Sequence, residues 1–201
     1  MRYSLRRPGL AGRGPIEVFR VIEPQSGPPP RQVPQKWLLG QNAYRALQPD
    51  PRPETAVALV RANAPNVQKV WTEMAYEAVR TEIAPTAPPR FEAVFAFADP
   101  LEAISFPFQF NLGVPKWVYR GTVDETVPWR MVDMVSFSVV QPADTTTQGF
   151  ADAWEVARRQ AQGYWAPSDD VRIAEILVGG SVELTTAVVP LPLLRELGVI
   201  E

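Results

Sequence analysis

Residues 171–180 read V-R-I-A-E-I-L-V-G-G, and this stretch decides the fold class. β-Branched and aliphatic residues running into a Gly-Gly turn predict a strand. Side chains in a strand alternate between faces, so Val171, Ile173, Glu175 and Leu177 share one face. Three of the four are apolar and the fourth is a carboxylate. A lone Glu on an apolar face is costly unless it is paired, hydrogen-bonded or protonated. Glu175 is therefore half of a buried ion pair, part of a pocket rim, or a catalytic group.

Residues 16–22, I-E-V-F-R-V-I, repeat the pattern with the opposite sign. Ile16, Val18, Arg20 and Ile22 share one face, and Phe19 and Val21 make the other face apolar. Such a strand belongs inside a sheet rather than at its edge. Arg20 is either half of a buried structural pair, with Glu175 as a candidate partner, or a cleft residue that holds an anion or a ribose.

Further strands are expected at residues 90–98, with Phe91, Ala93, Phe95 and Phe97 on one face, and at 116–123, 132–140 and 181–189. The first long helix is expected at 66–84. Val67, Val70, Trp71, Met74, Ala75, Ala78, Val79 and Ile83 fall on one face of it, and Pro85 stops it. Glu73, Glu77 and Arg80 lie largely on another face, where solvated charge is the default. A second long helix is expected at 149–165, with Phe150, Trp154, Ala157, Ala161, Tyr164 and Trp165 on a common side. Short helices are expected at 54–62 and 101–106, one or two turns at 37–47, and a docking helix in the tail through Leu193, Leu194 and Leu197. Phe106 to Phe110 form an aromatic-rich stretch suited to a pocket wall or a packed loop. About two long helices serve about six strands. That is an α+β fold with a mixed or antiparallel β core, not a doubly wound sheet.

Composition narrows the chemistry. The 201 residues suit one domain, expected at 16–201, preceded by a basic flexible arm at 1–15. A Pro-rich insertion occupies 23–56, where prolines lock φ and remove donors. The four Arg of the first 15 residues are followed by no apolar core, so no secretory signal is expected there, and no run is long enough to cross a bilayer. The expected setting is cytoplasmic or virion-associated. The net charge of −2 argues against a surface that grips nucleic acid all over. There is no Cys and no His, which removes disulfides, thiolate sites, the usual zinc ligands and any Ser-His-Asp triad. An enzyme built on this chain works with carboxylates, Arg, Tyr, Ser, Thr and Lys. No metal site is expected, because Asp99, Asp124, Asp133 and Asp144 follow no ligand spacing. No Gly-rich phosphate motif is present. The 22 Pro and the absence of Cys fit a heat-adapted protein, and a GC-rich genome would give the same bias towards Pro and towards 17 Arg against 3 Lys.

Four pieces carry a family resemblance: V-F-R-V at 18–21; Glu77 to Arg80 followed by P-x-x-P-x-R-F at 85–91; the Tyr-Trp helix end at 164–165; and A-E-I-L-V-G-G at 174–180. In this order the chain resembles the ADP-ribosyltransferase-like fold, and more narrowly a bacterial and phage family of unknown function with that fold. The resemblance implies that Arg20 contacts the NAD ribose or nicotinamide amide and that Glu175 is the catalytic glutamate. Pro89 stands where that fold often places a polar residue, and Arg90 beside it suits the pyrophosphate. Phe91, Phe95, Tyr119 or Trp165 would stack the nicotinamide ring, or else belong to the core. NAD would be a substrate, with a protein or nucleic-acid acceptor, as in a toxin or phage effector. The other reading is a non-catalytic binding module or virion assembly component on the same scaffold, in which basic arm and proline loops hold a protein partner.

Overall fold

The computed structural model describes residues 11–13, 15–22, 27–29, 31–33, 45–48, 51–109, 117–166 and 171–190. Seven strands form one antiparallel sheet: β1 (Ala11–Arg13), β2 (Glu17–Ile22), β3 (Val94–Phe97), β4 (Trp117–Val123), β5 (Pro128–Asp133), β6 (Ala174–Val178) and β7 (Val182–Pro190). Their order across the sheet is β1-β5-β6-β3-β2-β4-β7. The main α-helices among the described residues are α1 (Pro53–Arg61), α2 (Val67–Ile83), α3 (Pro100–Gln109) and α4 (Thr147–Trp165). The fold is α+β, as the alternating segments predict. No helix among the described residues is long and apolar enough to cross a membrane.

The sheet is nearly divided in two. β1, β5, β6 and β3 form one half, and β2, β4 and β7 the other. The halves meet where β2 pairs with β3 at a single position, Phe19 opposite Phe97. By contrast β2 pairs with β4 along its whole length, from Glu17 opposite Thr122 to Ile22 opposite Trp117. Beyond Phe19 the ladder between the halves stops, and backbone groups there need other partners.

Each face of the sheet is buried for a different reason. Ala174, Ile176 and Val178 of β6 share a core with Val94, Ala96, Met131, Val18, Tyr119, Val182 and Leu184. Among the described residues no helical one belongs to this cluster, which draws on strands of both half-sheets. The opposite face carries helices. α2 and α4 cover Val132 and Leu177, while α3 packs on Phe19, Phe97 and Val118. Glu175 is opposite Phe97 on β3 and Val132 on β5. It therefore stands on the helical face, at the seam between the α4 side and the α3 side.

The helices are fixed by caps and indole bonds. The Thr146 hydroxyl accepts from Gly149 N at 3.1 Å and starts α4. Ala157 and Ala161, with no exposed surface, let α4 lie close to α2 beside Ala75. Trp71 Nε1 donates to the Phe150 carbonyl at 2.9 Å, and Trp165 Nε1 donates to the Tyr76 carbonyl at 2.8 Å. Two tryptophans thus tie the two ends of α4 to α2.

Several sequence expectations move. Residues 90–92 are a 3-10 turn and not the start of a strand: Glu92 N donates to the Pro89 carbonyl at 2.9 Å, and β3 begins only at Val94. The strand expected at 132–140 is β5, which ends at Asp133. The Asp133 carboxylate accepts from Val135 N and the Ser136 hydroxyl, each at 3.2 Å, and turns the chain into a 3-10 helix. Residues 137–142 then carry no regular structure. Residues 11–13, expected in the arm, form β1 along β5, with Gly12 packed on Trp129. In the proline-rich insertion, Gln32 bridges Val182 on β7. Trp37 to Tyr44, most of the aromatic stretch after Phe106 and the tail after Pro190 lie outside the described side chains.

Candidate functional site

Four buried polar side chains from four elements meet on the helical face: Glu73 of α2, Arg90 of the 3-10 turn, Tyr164 at the end of α4, and Glu175 of β6. Arg90 is at their centre. Its Nε donates to Glu73 Oε2 at 2.7 Å and its Nη2 to Glu73 Oε1 at 3.2 Å, a two-pronged bridge. Its Nη1 donates to the Tyr164 hydroxyl and reaches Glu175 Oε2 at 3.5 Å. Tyr164 in turn donates to Glu175 Oε2 at 3.1 Å. Three rings close round the guanidinium, with centroids 4.1 Å away at Phe137, 4.9 Å at Tyr164 and 5.0 Å at Phe95.

The sequence builds this arrangement through the 85–91 segment. Arg80 and Glu77 pair on one helix face, with Arg80 Nε 2.8 Å and 2.9 Å from the two Glu77 oxygens. Arg80 Nη1 then donates to the Pro85 and Ala87 carbonyls at 3.1 and 2.9 Å. The loop is thereby folded back on the end of α2. Pro88 and Pro89 stiffen the approach to the 3-10 turn and deliver Arg90 onto Glu73, more than one helical turn before Arg80. The Glu77 to Arg80 and P-x-x-P-x-R-F pieces are thus one structural device.

Electrostatics favour a fixed charge on Arg90 and a reluctant one on Glu175. Burial works against the Arg90 cation, but Glu73, Tyr164 and Glu175 together hold its pKa above the ordinary value. Burial raises the Glu175 pKa, and Arg90 and Tyr164 offset this only in part, with Glu73 pushing the same way as burial. Burial also raises Tyr164 well above its usual value, so it remains a hydroxyl donor. Two carboxylates share one guanidinium, and Glu73 has the better geometry.

Among the described residues, both hydrogen bonds to the Glu175 carboxylate land on Oε2 and none on Oε1. Oε1 is also not among the sealed, unpartnered side-chain atoms, whereas Arg20 Nε is. Arg20 stands in the gap between the half-sheets. Its Nη1 donates to the carbonyl of Phe95, beyond the last bridge between β2 and β3. Strand parity starts Arg20 on the Tyr119 face and Glu175 on the Phe97 face. The opening of the ladder brings them within electrostatic reach. Burial lowers the Arg20 pKa, and the Glu175 charge counters it. The partner of Glu175 is Arg90, not Arg20.

The other sequence candidates fall into the core. Phe91 packs with Met74 and Trp71. Tyr119 lies on the strand-only core and stacks on Trp117 at 6.2 Å between centroids. Trp165 has no exposed surface. Phe95 is half-buried, next to both Arg20 and Arg90. Sequence reasoning missed Glu73 and Tyr164. Glu73 is 1% exposed, not solvated, because residues 70–76 of α2 are buried all round. The signal was available in W-T-E-M-A-Y, where large apolar neighbours flank the acid on both sides. Tyr164 sits on the expected helix stripe, and only its hydroxyl went unread. Among the described residues, no group of three acidic side chains is placed to hold a metal ion.

No family model matches this chain, and no curated protein sequence does.

Proposed function

We propose that the protein is an NAD-dependent ADP-ribosyltransferase or NAD glycohydrolase, with Glu175 as the catalytic carboxylate and Arg20 as the residue that holds NAD. The observation that supports this best is the asymmetry of Glu175. One oxygen is tied to Tyr164 and Arg90, and the other has no partner among the described residues, beside a sheet opening that contains a buried Arg20 Nε without one. A carboxylate oriented in this way suits an oxocarbenium-like sugar. In the reaction the ribose C1′–N bond breaks and its electron pair leaves with nicotinamide, which becomes neutral. An acceptor oxygen or nitrogen, or water, then bonds to C1′ and gives up its proton. Because the leaving group is cationic beforehand, no base with a pKa near 7 is needed. Arg20 supplies a planar fork for ribose oxygens. Arg90, whose three nitrogens are engaged, positions Glu175 and does not bind the pyrophosphate. Phe95, whose carbonyl accepts from Arg20 and whose ring centroid is 5.0 Å from the Arg90 guanidinium, is our choice for stacking on nicotinamide.

The second reading is a non-catalytic binding or assembly protein, favoured by the enclosure of Glu175, which is 9% exposed and joined to a ring-shielded Arg90. Incubation with NAD⁺ separates the two. The transferase reading expects nicotinamide release, with NAD⁺ affinity weakened in Arg20→Ala. Absence of both release and NAD⁺ binding favours the scaffold.

A further inference from the structure

We propose that the cleft between α2, the 90–92 turn, Gln48 and Pro51 binds the side chain of an arginine displayed by a partner polypeptide. This site goes beyond the reading of Glu175 and does not rest on it. The cleft has a volume of 320 Å³. That is at the low end of the ~300–1,000 Å³ typical of small-molecule pockets, which suits one long side chain better than a dinucleotide.

Its chemistry is one-sided. Met74, Pro51, Pro89 and Phe91 give apolar walls, Glu77 and Glu92 give carboxylates, Gln48 gives an amide, and no lining residue among the described ones is basic. Both oxygens of Glu77 are already taken by Arg80. The carboxylate of Glu92 is exposed and has no hydrogen bond or ion pair among the described residues. An anion would meet the unpaired carboxylate of Glu92, with the Gln48 amide as the one side-chain donor among the described lining residues and Arg80 already spent on Glu77. A cation with an apolar stem meets a carboxylate and a greasy wall. A guanidinium fits better than an ammonium, because it can take both oxygens of Glu92 at once and tolerates a ring or proline face on its flat side. The methylenes of its stem would lie along Met74 and the prolines.

The floor is preformed. Met74 and Phe91 belong to the core around Trp71. Met74 follows Glu73 in the chain, and Pro89 and Phe91 flank Arg90, so the Glu73–Arg90 bridge holds the walls from behind. A preformed site loses little to ordering when a ligand enters.

The test is a calorimetric titration of the full chain with acetyl-Gly-Arg-Gly-amide, beside the Lys and Gln versions of the same peptide. The proposal expects saturable binding of the Arg peptide and at least tenfold weaker binding of the Gln peptide. It expects at least tenfold loss in Glu92→Gln, at an unchanged melting temperature, with partial recovery in Glu92→Asp. No binding by the unaltered protein, or equal binding by Glu92→Gln, overturns it. Equal affinity for the Lys peptide overturns the choice of guanidinium. The outcome does not depend on whether the protein cleaves NAD⁺.

Discussion

Glu73 and Glu175 present the same functional group to the same guanidinium, and geometry gives them different roles. Glu73 grips Arg90 with both oxygens, while Glu175 touches it at 3.5 Å through one. Removing the Glu73 charge leaves a buried Arg with a poor partner, so Glu73→Gln is expected to cost about 3–5 kcal/mol in a denaturant titration. Glu175→Gln should behave differently, because Arg90 keeps Glu73 and Tyr164 keeps an acceptor. The pH dependence has a definite sign. A carboxyl whose pKa is raised on folding adds stability below its unfolded value, near 4.5, and loses it as pH rises through the folded value. Glu175→Gln is therefore expected to be at least as stable as the unaltered protein at pH 7, with the difference shrinking towards pH 4. Paired urea titrations at the two pH values measure it. The sequence showed that Glu175 and Arg20 are each a single charge on an apolar strand face. It did not show who pairs with whom, because parity names a face and says nothing of the neighbouring strand or of a helix packed over it.

At the scale of elements, the loop from α2 to β3 carries the most information per residue. Arg80→Ala removes the donor that folds this loop. The exposed Pro85 carbonyl can turn to water, but Ala87 is buried and its carbonyl is left dry, a cost of about 1–3 kcal/mol. The same substitution is expected to loosen Arg90, so faster amide exchange at residues 90–92 should accompany the loss of stability. At the start of α4, Thr146→Ala removes the cap on Gly149 and is expected to cost about 1 kcal/mol. Both long helices were legible within two residues at each end, since their apolar stripes and, for α2, Pro85 mark them locally. β3 and β5 were misplaced. Apolar alternation runs through 90–98 and 132–140, yet the tertiary Arg90–Glu73 bridge and the local turn made by the Asp133 carboxylate, itself held by Arg172 and Ile173 N, decide where the strands begin and end. β1 was illegible because A-G-R has no pattern, and its existence depends on an open edge of β5.

For the whole molecule, the decisive feature is the single bridge between Phe19 and Phe97 that joins two half-sheets. Antiparallel α+β organisation follows from alternation and short turns, so it could be read from the chain. The order β5-β6-β3-β2-β4 depends on pairings between distant residues, and the place where the sheet opens is a property of that order alone. The opening brings Arg20 within electrostatic reach of Glu175, whose Oε1 has no hydrogen-bond partner among the described residues, and makes the pair a candidate for NAD chemistry. The most direct test is nicotinamide release from NAD⁺ by the unaltered protein and by Glu175→Gln, with folding and NAD⁺ binding checked on both. The expected result is release by the unaltered protein and its loss in a Glu175→Gln variant that still folds and still binds NAD⁺. Release that persists undiminished in Glu175→Gln, or no release by the unaltered protein, would contradict the assignment and leave the Glu73–Arg90–Tyr164–Glu175 cluster as a purely structural lock.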